Sequence, residues 1–174
     1  MFKYILYDVA KLIRYGPQSA IFGLIVLIVW CVFTTKKKKP FSEGKAVAAF
    51  LLGAYIVMVL ELAIIDRVPN AHTGYIELSL LHSTRWANMR AMTIENVLMF
   101  IPYGFLCPVL WDLFKKWYIT IPIGVCLSIL IEATQFVTGR GYCQLEDLVM
   151  NSVGTIVGYL FFRMLYTIRV RKEI

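Results

Sequence analysis

The chain has 174 residues, 59% of them hydrophobic and 17% charged, with a mean hydropathy of +0.69. A soluble domain is roughly 45–50% apolar and about 25% charged, and a 20.0 kDa soluble fold could not bury this excess. The length excludes a large multidomain enzyme, and the scattered cysteines exclude a disulfide-stapled secreted module. The net charge of +7, from 18 basic against 11 acidic residues, would suggest nucleic acid in a soluble protein. Here the basic residues flank apolar blocks, where topology and anionic headgroups account for them, so no nucleic-acid partner is expected.

The chain begins with MFKYILYDVAKLIRYG. At helical spacing Lys3, Asp8, Lys11 and Arg14 share one arc and the rest is almost all apolar. This predicts an interfacial amphipathic helix over residues 1–16, ended by Gly16-Pro17. No small-residue cleavage site suggests a removed leader.

A hydrocarbon core of about 30 Å needs around 20 helical residues. Five stretches qualify as spans: about 17–35, 45–65, 93–111, 117–138 and 147–168. The predicted fold is therefore all-α, a polytopic integral membrane bundle of about five transmembrane helices forming one domain over 17–168, with a basic tail at 169–174. Lys36–Lys39, Lys115, Lys116, Arg169, Arg171 and Lys172 lie on one side of such a bundle. With Lys45 and Arg163 that side holds 11 of the 18 basic residues. The positive-inside rule then places these loops and the C-terminus in the cytoplasm, and the N-terminus outside.

Charged groups at membrane depth cost about 2.5–3.5 kcal/mol on insertion scales, so they need partners. Glu61 stands near the outer end of the second span. Glu95 and Asn96 open the third. Glu132 and Gln135, three residues apart and on one face, end the fourth. Asp147 and Asn151 open the fifth. All seven gather in the outer half. Asp147, Asn151, Gly154 and Gly158 form one stripe, and its glycines point it at protein. Pro102 and Pro108 are expected to interrupt span three and free carbonyls to line a cavity. Arg67, Arg85, Arg90 and Arg140 supply cations from the outer loops, and an arginine fork can clamp a carboxylate or phosphate. Glu132, Arg140, Asp147 and Asn151 are expected to lie close together, since a short outer hairpin brings Arg140 to Asp147, where the two could pair. The arrangement reads either as an outward pocket or as an ion-pair network that pins the helices together. Trp86, Tyr103, Trp111, Trp117 and Tyr118 read as belt and packing residues.

Cys31, Cys107 and Cys126 lie in apolar runs, and Cys143 stands in a polar loop. No CxxC or Cys/His spacing suggests zinc, and His72 and His82 read as solvated side chains. No metal and no cofactor are expected.

Two segments carry a family signature: ENVLMFIPYGF (residues 95–105) and IEATQFVTGRGYCQLEDLVMNSVGTIVGYL (residues 131–160). Together they resemble the VanZ-like membrane protein family, whose pattern is an Asn–apolar–IPxG helix, then IExxQ, a Gly-Arg loop, an acidic pair and Nxx-G-xxx-G. The matching residues are Asn96, Pro102, Gly104, Glu132, Gln135, Arg140, Asp147, Asn151, Gly154 and Gly158. DRVPN, residues 66–70, with Arg67, resembles the family's weaker upstream motif. The family often has an acid at Gln144 and an Asp at Glu146, and this departure weakens a metal-binding reading of the 144–147 loop.

The resemblance implies a bacterial cell-membrane location and a cell-envelope role, since the family's prototype is associated with low-level resistance to teicoplanin. The first functional expectation is a resistance factor. Its outer pocket (Arg67, Asn96, Glu132, Gln135, Arg140, Asp147 and Asn151) would bind a membrane lipid, a lipid-linked peptidoglycan precursor or a lipoglycopeptide antibiotic. The second is a membrane enzyme in which Glu132 and Asp147 act as acid and base. No Ser/His or Cys/His pair in the motifs offers a nucleophile. The third is a small proton-coupled transporter, against which stands the lack of an evident inverted repeat.

Overall fold

The computed structural model describes the backbone of residues 2–38, 40–69, 76–78, 87–141 and 143–172, and the side chains of 13–38, 40–69, 76–78, 93–141 and 143–171. Outside the described residues lie Lys39, Asn70, His72, His82, Arg85 and Trp86, and the side chains of Lys3, Asp8, Lys11, Arg90 and Lys172.

Five helices follow the five apolar blocks. They are α1 (Phe2–Lys36), α2 (Glu43–Leu60), α3 (Ala87–Leu110), α4 (Trp117–Val137) and α5 (Leu145–Lys172). Within them Ile13–Lys36, Glu43–Ile65, Thr93–Leu110, Trp117–Val137 and Leu145–Arg171 are long and apolar enough to cross a membrane. The fold is the expected all-α membrane bundle. Large apolar side chains stand on its outside, among them Leu24, Ile28 and Val32 one turn apart on α1. In water this would be an aggregation surface; in a bilayer it is the lipid-facing side, and the helices keep their own backbone hydrogen bonds.

The described core is small. Ala48, Ala49 and Leu52 of α2 pack on Phe100, Tyr103, Leu106, Cys107 and Leu110 of α3. A 3-10 turn, Asp112–Lys115, links α3 to α4. A two-residue parallel ladder pairs β1 (Ile76–Glu77) with β2 (Cys143–Gln144), Ile76 against Cys143 and Glu77 against Gln144. It ties the loop after α2 to the loop before α5.

Two local expectations are corrected, and one local feature is new. The helix does not end at Gly16-Pro17, because α1 continues through Pro17 as one element. Proline forfeits one backbone hydrogen bond, and membrane helices absorb that loss readily. At 35 residues α1 is about 52 Å long, more than the hydrocarbon thickness. Likewise Pro102 and Pro108 sit inside a continuous α3, and on that stretch Gly104 packs against the α5 backbone at Thr155. Finally, the second span widens at its end into a π-helical turn, Glu61–Ile65, closed by Asp66 N–H donating to the Glu61 carbonyl at 2.8 Å.

Candidate functional site

The site forms where the C-terminal end of α4 meets the N-terminal ends of α3 and α5. On α4, Thr120, Gly124, Ser128 and Glu132 recur every four residues, and all are buried. On α5, Asp147, Asn151, Thr155 and Tyr159 do the same and are also buried. The two stripes face each other along antiparallel helices. The Glu132 and Asp147 carboxylates lie within electrostatic reach of one another. One turn deeper, Asn151 Nδ2 donates to Ser128 Oγ at 2.8 Å. Deeper still, Gly124 stands against the Thr155 side chain. Four-residue spacing keeps a helix stripe on one face, so the sequence itself produces this polar seam.

The carboxylates are held from several sides. The Gln144 backbone N–H donates to Glu132 Oε2 at 3.1 Å, so β2 lies directly over Glu132. Asn96 of α3 hydrogen-bonds Asp147. The Arg67 guanidinium acts on both Glu132 and Asp147, and its Nη1 stands 3.5 Å from Gln135 Oε1. Beside them Thr93 Oγ1 donates to Glu146 Oε1 at 3.2 Å. Asn151 is 1% exposed, yet among the described residues nothing donates to its Oδ1. A buried amide oxygen without a donor is costly and calls for a partner.

Six of the seven residues singled out in the sequence thus converge: Arg67, Asn96, Glu132, Gln135, Asp147 and Asn151. The seventh, Arg140, does not pair with Asp147. Its Nη1 donates to the carbonyls of Ile64 at 2.5 Å and Ile65 at 3.1 Å, at the end of the π turn. Gln135 Nε2 donates to the Ala63 carbonyl at 2.9 Å. The last carbonyls of any helix lack intrahelical donors, and at membrane depth that must be made good. Arg140 and Gln135 do this for the second span, and a cation suits the negative end of the helix dipole. Arg67, two residues past the π turn, acts on the carboxylates instead.

The turn that aims Arg140 is encoded locally. Gly139 has φ +63, Arg140 N–H donates to the Gln135 carbonyl at 2.8 Å, and Gly139 N–H donates to the Phe136 carbonyl at 3.2 Å. This is a Schellman ending, in which glycine takes the left-handed position at no steric cost. A Cβ on Gly141 would sit 2.8 Å from Arg67 Nη1 and 3.2 Å from Gln135 Oε1, so a side chain there would push the Arg67 guanidinium aside.

Sequence reasoning missed Ser128, the Gln144 amide and the Thr93–Glu146 bond. Ser128 was within reach, four residues before Glu132 on the same face. The other two depend on loop geometry that no spacing rule gives. Cys143, at the rim, has its thiol pKa raised, by burial first and then by the negative charges of Glu132 and Asp147. Among the described residues no three His, Cys, Asp or Glu side chains converge as a metal cage would require.

The family described as VanZ/LLP1 matches residues 21–166 of this chain. Protein VanZ of Enterococcus faecium is 32% identical over 123 residues, covering 66% of this chain and 73% of that relative. No solved structure matches.

Proposed function

The chain belongs to the VanZ/LLP1 family, and from that premise we propose that it is a teicoplanin-type resistance factor of a bacterial envelope whose polar cluster binds a headgroup at the outer face. The observation that carries this reading is the buried group of Glu132, Asp147 and Asn151 at one end of the bundle, with the half-buried Arg67 beside it and, among the described residues, no donor to Asn151 Oδ1. Envelope lipids and lipoglycopeptides offer amide and hydroxyl donors on a head joined to an acyl chain, a shape suited to a polar cluster beside lipid. The proposed topology puts the N-terminus outside and the basic loops inside. The cluster then faces the compartment where glycopeptides act.

The test is Glu132→Gln, which keeps shape and removes the charge. Cells expressing the variant should lose teicoplanin tolerance while the extracted protein stays monodisperse. A folded, fully tolerant variant would remove Glu132 from the site. Orientation is checked with a probe cysteine beside Lys37, where labelling of intact cells by an impermeant reagent would reverse it. A second reading is acid–base chemistry on an envelope lipid, favoured by the pairing of two carboxylates on facing helices. Turnover of a lipid bound to the purified protein separates the two.

A further inference from the structure

At the opposite end of the bundle a different feature appears. An open groove of about 460 Å³ runs between the start of α4 and the second half of α5. Lys115, Lys116 and Arg163 stand around it, and Ile121, Ile156 and Leu160 supply its apolar lining. Trp117 and Leu160, on its walls, are largely exposed. In a membrane bundle an open apolar wall at this level meets acyl chains, and exposed Trp117 and Tyr118 mark the headgroup zone.

The charge there is unbalanced. Lys115 Nζ lies 2.6 Å from the Asp112 carboxylate and over the Tyr166 ring at 5.0 Å. The Tyr159 hydroxyl holds the same turn by donating to the Lys115 carbonyl at 2.6 Å. Among the described residues that is the one acidic contact at the groove, and Lys116 and Arg163 have no carboxylate within salt-bridge range. Two cations facing one apolar slot at an interface need an occupant that is anionic at its head and apolar below.

We infer that this groove binds an anionic phospholipid, with its phosphate between Lys116 and Arg163 and one acyl chain along Ile121, Ile156 and Leu160. Arginine can meet two phosphate oxygens at once, and lysine adds a compact charge. Basic pockets between transmembrane helices bind anionic lipid heads in this manner. A zwitterionic lipid would bring its own cation to a place already rich in them. The inference uses none of the residues of the carboxylate cluster and does not depend on which way the bundle is inserted.

Trp117 provides the readout. The full chain with Trp30, Trp86 and Trp111 changed to Phe is placed in phosphatidylcholine vesicles. These contain a minor fraction of either dibrominated phosphatidylglycerol or dibrominated phosphatidylcholine, whose bromines quench a neighbouring indole. Stronger quenching by the anionic lipid is expected. Each lost cation should weaken that preference about fivefold, the equivalent of about 1 kcal/mol per basic residue at a membrane surface. The Lys116→Gln/Arg163→Gln double variant should therefore show almost none. Equal quenching by both lipids, or a preference that survives the double change, overturns the site. Inorganic phosphate should not displace the lipid; if it does, the groove is a soluble-anion site and the lipid assignment fails. Native mass spectrometry of the chain with its natural tryptophans counts retained phosphatidylglycerol and keeps the test independent of the Trp→Phe background.

Discussion

Helix α5 is packed in two ways at once. Toward α3 it presents glycine. A Cβ on Gly154 would collide with the Val97 carbonyl, one on Gly158 with the Ile101 carbonyl, and one on Gly104 of α3 with the Thr155 carbonyl. Toward α4 it presents Asp147, Asn151 and Thr155, which meet Glu132, Ser128 and Gly124. In lipid there is no hydrophobic drive to join helices, so association rests on close packing and on interhelical hydrogen bonds. The α3 seam rests on the first means over its length, with the Asn96–Asp147 and Thr93–Glu146 bonds only at one end, and the α4 seam rests mainly on the second. A seam made of backbone contact can only be right or broken. A polar seam can lose a bond, exchange one for a ligand, or change charge while the helices stay where they are. The second seam is therefore where function is sought.

The largest expected effect breaks the glycine seam. Gly158→Leu would drive a side chain into the backbone of α3, which has no rotamer to yield. The cost should reach or exceed the ~3 kcal/mol upper end of overpacking, and detergent-extracted protein should be polydisperse or absent. A monodisperse Gly158→Leu with unchanged melting would show that the seam is not closed. The next effect concerns Arg67. Removing it deprives two buried carboxylates of a nearby favourable charge, and a buried carboxylate with less compensation is costly. Arg67→Ala should thus be less stable than Arg67→Ala/Asp147→Asn. If the two changes simply add, Arg67 does not serve Asp147. Arg140→Ala should cost less, about 1.5–3 kcal/mol for a charged hydrogen-bond donor, and Asp147→Asn should not relieve it. That contrast separates the arginine of the site from the arginine that caps a helix.

Much of this was legible in the chain. The five spans follow from apolar blocks whose length matches a bilayer. The convergence of Glu132, Asn96, Asp147 and Asn151 follows from polar residues at like depth on successive helices. What spacing did not give is the partner of each arginine. Arg67 and Arg140 both sit in polar loops near the same acids, and charge alone assigns either to Asp147. The choice is made by the π turn, whose exposed carbonyls claim Arg140. Nothing in ELAII announces a π turn. The path of α1 through Pro17 escaped for a similar reason, because helix-stop rules are written for water, where an interrupted backbone can turn to solvent.

Ser128→Ala should be a small change, near the ~0.6 kcal/mol average for an interhelical hydrogen bond in a membrane. It removes the acceptor of Asn151 Nδ2 without stranding a charge. A loss as large as that of Gly158→Leu would mean that the polar seam, too, is rigidly structural, and the contrast between the seams would collapse.

The smallest effect reads the charge of the polar seam without disturbing it. Cys143 lies at its rim, and its thiol pKa is raised by burial and by the charges of Glu132 and Asp147. A raised pKa makes the thiolate scarcer at a given pH, so alkylation of Cys143 should climb with pH and level off later than for an ordinary cysteine. Removing a negative neighbour lowers that pKa. Glu132→Gln or Asp147→Asn should therefore speed maleimide labelling at mildly alkaline pH, by only about twofold, because a less basic thiolate is also a weaker nucleophile. The measurement is the pH profile of Cys143 labelling, followed by peptide mass in a chain whose other cysteines are alanine. Gly104→Ala, which strikes the α3 seam, should leave the profile unmoved at whatever fraction still folds. If instead the glycine variant shifts the profile and the carboxylate variants do not, the thiol is sensing packing alone. Glu132 and Asp147 would then carry no charge that a headgroup could feel.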